Sequence, residues 1–269
     1  MRTIWKGAIS FGLVHIPVKL YAATQENSLK FNYLHKECHT PIKYEKVCPA
    51  CDRKVDKGEI VWGYEYEPGK YVVLEKEDFE SIPLETTKTI DIIDFVSLAE
   101  IDPIYYANSY YLAPAEGGQK PYSLLLKAMQ ETGKIAMAKV VLRKKEALAS
   151  LRVYQNQALV LETMFYPDEI RSLEQIPELD HEPKIHGNEL KMAVSLIENL
   201  SEPFQPERYK DNYRLALIEL VHSKIEGEEI AVPTAGQGRA EVIDLMTALE
   251  ESIKATKEEK AQHEPVASK

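Results

Sequence analysis

MRTIWKGAISFGLVHIPVKLY, residues 1–21, reads as two short β-strands. Ala8–Val14 and Ile16–Tyr21 are rich in β-branched and aromatic residues, which suit a pleated, half-buried surface. Gly12 and Pro17 punctuate the run, and a proline early in a strand suits an edge or first position, where no ladder donor is lost. A secretory signal is the competing reading of an apolar N-terminus. It needs an unbroken apolar run and a small-residue cleavage site, and this stretch has neither, so export is not expected.

Short strands continue outward from this opening. Trp62–Tyr66 and Tyr71–Leu74 flank Pro68-Gly69-Lys70, the pattern of a hairpin with a glycine-containing turn. Lys88–Phe95 and Ser109–Leu112 add strand-like runs, limited by Pro103 and Pro114, and Glu77-Asp78-Phe79 opens one helical turn. Several short strands with regular punctuation suggest a barrel or a sandwich. Tyr122–Glu131 reads as a helix, with Leu125, Leu126 and Met129 on one stripe and Gly133 as its stop. Strands resume at Lys134. In Ile135–Arg143 the even positions are apolar while the odd face carries Lys139 and Arg143, so one side packs and the other presents charge. Lys144-Lys145-Glu146 turns the chain, Ala147–Tyr154 returns with Arg152 and Tyr154 on one face, and Ala158–Phe165 follows the polar turn Gln155-Asn156-Gln157.

After Pro167 the pattern becomes helical. Leu190, Val194, Ile197 and Leu200 recur at helical spacing, as do Tyr209, Tyr213, Leu217, Leu220 and Lys224, and such stripes are expected to pack on the strand core or on a second subunit. Residues 227–239, with Gly227, Pro233, Gly236 and Gly238, read as a linker. Ala240–Ile253 is amphipathic through Val242, Leu245, Met246, Leu249 and Ile253. A lone helix of that length is marginal in water, so its apolar face needs a cover: its own core or, favoured by the flexible linker, another protein's groove. Lys254–Lys269 is charged and free of aromatics, the composition of a disordered tail.

The 269 residues suffice for one large domain or a domain with an appendage. No apolar run approaches the roughly eighteen residues of a membrane span, and three cysteines make no disulfide framework, which fits a reducing, intracellular setting. The formal net charge of -10 opposes binding to a polyanion until its distribution is read. Residues 1–60 hold Arg2, Lys6, Lys19 and seven further cations against six acids, and residues 120–154 hold eight cations, including Lys127, Lys134, Lys139, Arg143, Lys144, Lys145 and Arg152, against Glu131 and Glu146. Two basic islands in an acidic chain fit an inward binding surface with an acidic exterior, although a solvated charged face explains any single run.

His35-x-x-Cys38 followed by Cys48-Pro49-Ala50-Cys51 supplies four ligands of the tetrahedral N/S type that holds structural zinc, with His39 able to replace His35. A reduced Cys-Pro-x-Cys turn beside an unrelated Cys38, or a redox dithiol near Lys46 and Arg53, are the alternatives. No nucleophile–base pattern, glycine-rich phosphate loop or HExxH is present. Asp91 with Asp94 reads as a solvated face rather than an acid–base pair, so no catalytic residue is assigned.

Several words resemble the bacterial Ku proteins, the DNA-end-binding factors of non-homologous end joining. They are Ile4-Trp5-Lys6-Gly7, Ser10-Phe11-Gly12-Leu13-Val14, Ile16-Pro17-Val18-Lys19-Leu20-Tyr21, Gly63-Tyr64-Glu65-Tyr66, Tyr71-Val72-Val73-Leu74, Lys120-Pro121-Tyr122 and Glu131-Thr132-Gly133-Lys134, so the resemblance covers roughly residues 1–225. It implies an α+β fold: a mainly antiparallel β-barrel core with an extended strand bridge, then helices and a C-terminal helical tail, in a homodimeric ring around duplex DNA. The expected division is a core over 1–226, a linker over 227–239 and a ligase-recruiting tail over 240–269. It further implies a non-enzymatic, cytoplasmic, nucleoid-associated protein whose partners are double-stranded DNA ends, a second copy and an end-joining DNA ligase, with no membrane. Lys139, Arg143, Lys144, Lys145 and Arg152 are the first expected phosphate contacts, and Lys134, Lys127, Arg2, Lys6 and Lys19 the next. Two rival readings are a zinc-stabilised adaptor without DNA binding and a metal-dependent hydrolase built on His35, Cys38 and nearby carboxylates.

Overall fold

The computed structural model describes residues 1–82, 88–143, 145–180, 183–227, 249 and 252–254. β1 (Trp5–Phe11) and β2 (Val14–Ala22) form an antiparallel hairpin that pairs Trp5 with Leu20 and Phe11 with Val14. The expected break at His15 is corrected: the turn is Gly12-Leu13, with Gly12 at φ 57. A two-residue hairpin loop needs a positive φ, which glycine supplies without strain. Two small hairpins follow, β3 (Val47–Cys48) with β4 (Arg53–Lys54), and β5 (Trp62–Glu67) with β6 (Lys70–Leu74), the latter turning at Pro68-Gly69 as the sequence suggests. Helix α1 (Lys76–Ser81) extends the single helical turn expected near Phe79.

The remaining strands are β7 (Thr89–Ser97), β8 (Tyr106–Pro114), β9 (Lys134–Leu142), β10 (Lys145–Tyr154) and β11 (Ala158–Met164). They close with the first hairpin into a seven-stranded barrel in the order β1-β2-β8-β11-β10-β9-β7. The choice between barrel and sandwich is thereby resolved. β1 meets β7 in parallel, and every other barrel pair is antiparallel. Closure puts that parallel seam at Gly7, where a Cβ would lie 2.3 Å from the Lys88 carbonyl oxygen and 2.1 Å from the Trp5 ring. No larger residue fits there without moving backbone.

One more turn differs from its expected position. Lys145 and Glu146 belong to β10, opposite Leu142 and Val141, and the chain reverses at Arg143, which takes φ 52; Lys144 lies outside the described residues. The tight connection keeps the β9–β10 ladder paired to its end, as short hairpin loops do. The Gln155-Asn156 turn is as expected, with both residues at positive φ.

Alternation sends one parity of each strand inward. Ile9, Ile16, Val18, Leu20, Ile90, Leu112, Ala138, Val140, Leu151, Leu159 and Leu161 form the core. Helix α2 (Gln119–Thr132) begins three residues earlier than the pattern predicts and ends at Gly133 as predicted. Its Tyr122, Leu125, Leu126 and Met129 join the same core. The Tyr122 hydroxyl donates to the Leu112 carbonyl at 2.6 Å and accepts from the Leu159 N–H at 2.8 Å. One side chain thus ties the helix to two staves.

The chain divides into compact units at Ser172/Leu173. In the second, α3 (Gly187–Leu200) and α4 (Asn212–Glu226) each run about four turns. Leu190, Val194, Ile197 and Leu200 are exposed on α3, as are Tyr213 and Leu220 on α4, and neither helix holds a buried residue. Tyr209 precedes α4 rather than lying on it. The linker and the 240–253 helix fall outside the described residues, apart from Gly227, Leu249 and 252–254; Leu249 and Ile253 are helical and half-buried. Among the described residues no helix is long and apolar enough to cross a membrane.

Candidate nucleic-acid interface

Since Ile9, Ile16, Val18 and Leu20 point inward, strand alternation turns Lys6 and Lys19 to the outside of the barrel. The β1–β2 register sets them directly opposite one another. Like charges at opposed positions destabilise a strand pair, and a bound polyanion removes that penalty. Among the described residues neither lysine forms an ion pair. From Lys19 the outer wall continues through an aromatic row: Tyr21 opposes Tyr111, Tyr111 opposes Val160, and Val160 opposes Arg152. The Tyr111 and Tyr154 rings are 6.0 Å apart, and the Arg152 guanidinium lies 5.6 Å from the Tyr154 ring centre.

The other island is differently placed. Arg152 donates to Glu162 at 2.8 Å, and Glu162 also accepts from the Ser109 hydroxyl at 3.4 Å. The Glu162 side chain is 10% exposed and that of Arg152 28%, so this is a largely dry pair. The carboxylate raises the guanidinium's pKa further above its ordinary value. Lys139 lies 3.2 Å from Glu146 and opposes Asp91 in the β7–β9 register. Asp91 accepts from the hydroxyl of Thr89 on its own strand at 2.9 Å. Lys145 lies 3.8 Å from Glu169. Arg143 is exposed at the hairpin tip, Lys134 opens β9 opposite Ser97, Lys127 is exposed on α2 and Arg2 precedes β1. The register thus brings Lys6 and Lys19 together, whereas Lys139 and Lys145 have different acidic partners, Glu146 and Glu169, and Arg143, Arg152, Lys127 and Lys134 lie at separate places on the barrel and α2.

Counting charge by window concealed the acids. Glu162 follows Arg152 by ten residues and Glu169 follows Lys145 by twenty-four, so neither enters the local sum. The Gln155–Gln157 turn was the available signal: a hairpin closed there sets Arg152 opposite Val160 and Ser150 opposite Glu162, on one outer face.

The expected metal ligands form two local pairs. His35 Nδ1 is 3.1 Å from Cys38 Sγ. Cys48 ends β3 and Cys51 lies in the turn to β4. The backbone N–H groups of Cys51 and Ala50, then the Cys51 thiol, lower the Cys48 pKa, and Cys48 in turn raises that of Cys51. The Thr40 hydroxyl and backbone lower that of Cys38. A thiol pKa lowered at Cys38 and Cys48 is the direction that favours metal ligation. Among the described residues, however, no three or more His, Cys, Asp or Glu side chains converge to hold an ion. His39 adopts φ 53 and is fixed through its N–H to the His35 carbonyl. Of the expected partner-binding side chains, Val242, Leu245 and Met246 lie outside the described residues.

The family model described as the Ku70/Ku80 beta-barrel domain matches residues 10–192. The non-homologous end joining protein Ku of Symbiobacterium thermophilum is 51% identical over 261 residues, covering 97% of this chain and 65% of that protein. The protein of the same name from Bacillus subtilis is 49% identical, with 96% and 83% covered, and that of Archaeoglobus fulgidus 44% identical, with 96% and 100% covered. The chain therefore spans just under two thirds of the Symbiobacterium protein's length.

Proposed function

The chain belongs to the Ku family, and from that premise we propose that it binds the ends of double-stranded DNA without sequence preference, as a homodimeric ring, in end-joining repair. Beyond family membership, the observation that supports this is the opposed Lys6–Lys19 pair on the outer barrel wall, which has no ion-pair partner among the described residues. Side chains that neutralise phosphates supply affinity without reading bases, which is the need of a factor that meets arbitrary broken ends. A ring adds selectivity by topology, since only an end can be threaded. The role is one of binding and recruitment rather than catalysis, in the cytoplasm at the nucleoid. Retention on linear duplex but not on closed circles of the same sequence tests this function. Nothing favours the adaptor or hydrolase alternatives.

Two finer proposals go with it. The 240–269 tail recruits a DNA ligase through Val242, Leu245, Met246, Leu249 and Ile253, beyond a linker at 227–239 and a core over 1–226. Truncation after Gly238 is expected to leave end binding intact and weaken stimulation of ligation; equal stimulation would contradict it. Structural zinc bound by His35, Cys38, Cys48 and Cys51 is the second, supported by the His35–Cys38 contact and the Cys48-Pro49-Ala50-Cys51 spacing. Elemental analysis of the purified protein is expected to find about one zinc per chain, lost in Cys48→Ser. A metal content unchanged by that substitution would reject it.

A further inference from the structure

We infer that Glu146 and Glu169 are built-in competitors for the DNA backbone: they occupy Lys139 and Lys145 and set how tightly the β9–β10 hairpin holds phosphate. The inference rests on the end-binding function proposed for this chain. Glu146 sits 3.2 Å from Lys139 and Glu169 3.8 Å from Lys145. Both acids are held by one residue. The Tyr166 hydroxyl donates to Glu146 Oε1 at 3.4 Å, while its backbone N–H donates to Glu169 Oε2 at 2.8 Å. Tyr166 heads the short turn Pro167–Glu169 that leaves β11, so the turn after one strand brings Glu169 against a lysine of another. Lys145, Glu146, Tyr166 and Glu169 line a cavity of about 230 Å³ together with Leu142 and Ala147.

A lysine ammonium donates equally well to a carboxylate or to a phosphate oxygen. The Lys145 side chain is 80% exposed and that of Lys139 46%, and ion pairs so open to water are weak. A phosphate can therefore displace the carboxylate, but the displaced acid stays close enough to repel it. The two glutamates temper an otherwise cationic hairpin, and Tyr166 is their positioning residue.

The test is a titration of the full chain with a fluorescent linear duplex at fixed salt, comparing wild type with Glu146→Gln, Glu169→Gln and the double variant. Each amide is expected to tighten binding about twofold to fivefold, the size of a weak exposed pair. The gain should disappear when Lys139→Ala and Lys145→Ala are added, and Tyr166→Phe should reproduce part of the Glu146→Gln gain. A double variant that binds no tighter than a DNA-binding wild type overturns the inference, as does a gain that survives loss of both lysines. A wild type that binds no linear duplex overturns the end-binding function, and this inference with it.

Discussion

Replacing Lys6 and Lys19 together with alanine is expected to weaken binding to linear duplex DNA while leaving the protein as stable as before, or more so. Each phosphate contact adds about 0.9 to the slope of log affinity against log salt, equivalent to about fivefold at about 0.15 M salt. Loss of both contacts should therefore reduce affinity about thirtyfold and flatten the slope by about 1.8 for each subunit of the dimer. Stability moves the other way because the two lysines oppose each other across the β1–β2 ladder and repel when no anion lies between them. The pairing of lower affinity with an unchanged or higher thermal midpoint separates a phosphate site from a structural role. An unchanged salt slope would place the contact elsewhere.

The second large effect concerns Arg152. Alanine at this position is expected to destabilise the fold by about 3 kcal/mol, the lower end for breaking one side of a buried ion pair. It leaves Glu162, 10% exposed, with the long contact from Ser109 as its one remaining side-chain partner among the described residues, and removes the cation from the Tyr154 ring. The measurement is the urea midpoint of Arg152→Ala. Adding Glu162→Gln should recover part of the loss, because the stranded charge is then gone. An Arg152→Ala midpoint equal to wild type would show that the pair does not hold the wall together. Any loss of DNA binding in the single variant has to be separated from this loss of fold, and the double variant separates the two.

Arg152 also shows where sequence reading reaches its limit. Alternation identified the faces of Ile135–Arg143 and Ala147–Tyr154 correctly, because apolar parity is fixed by the core and the core is fixed by composition. Alternation cannot say which acid from a distant strand arrives beside a cation. That depends on register, and register depends on turns displaced by two or three residues at Gly12-Leu13 and at Arg143. Lys19 ranked below Lys139 when charges were counted along the chain; that count does not show that Asp91, from a strand nearly fifty residues earlier, faces Lys139 across the barrel wall. The α2 helix was legible from Leu125, Leu126, Met129 and Gly133. Its place in the barrel core was not, because Tyr122 bonds both to β8, ten residues back, and to Leu159 on β11, thirty-seven residues ahead. Barrel closure was equally hidden, since the parallel β1–β7 seam joins segments eighty residues apart.

The most direct measurement is competition between topologies. Purified full-length protein is loaded on a labelled linear duplex and challenged with equal masses of one plasmid, either linearised or as a relaxed closed circle, at several salt concentrations. A ring that threads onto ends predicts that the linear plasmid competes and the circle does not, with the preference kept when the end sequence is changed. Equal competition by circle and line would contradict the account.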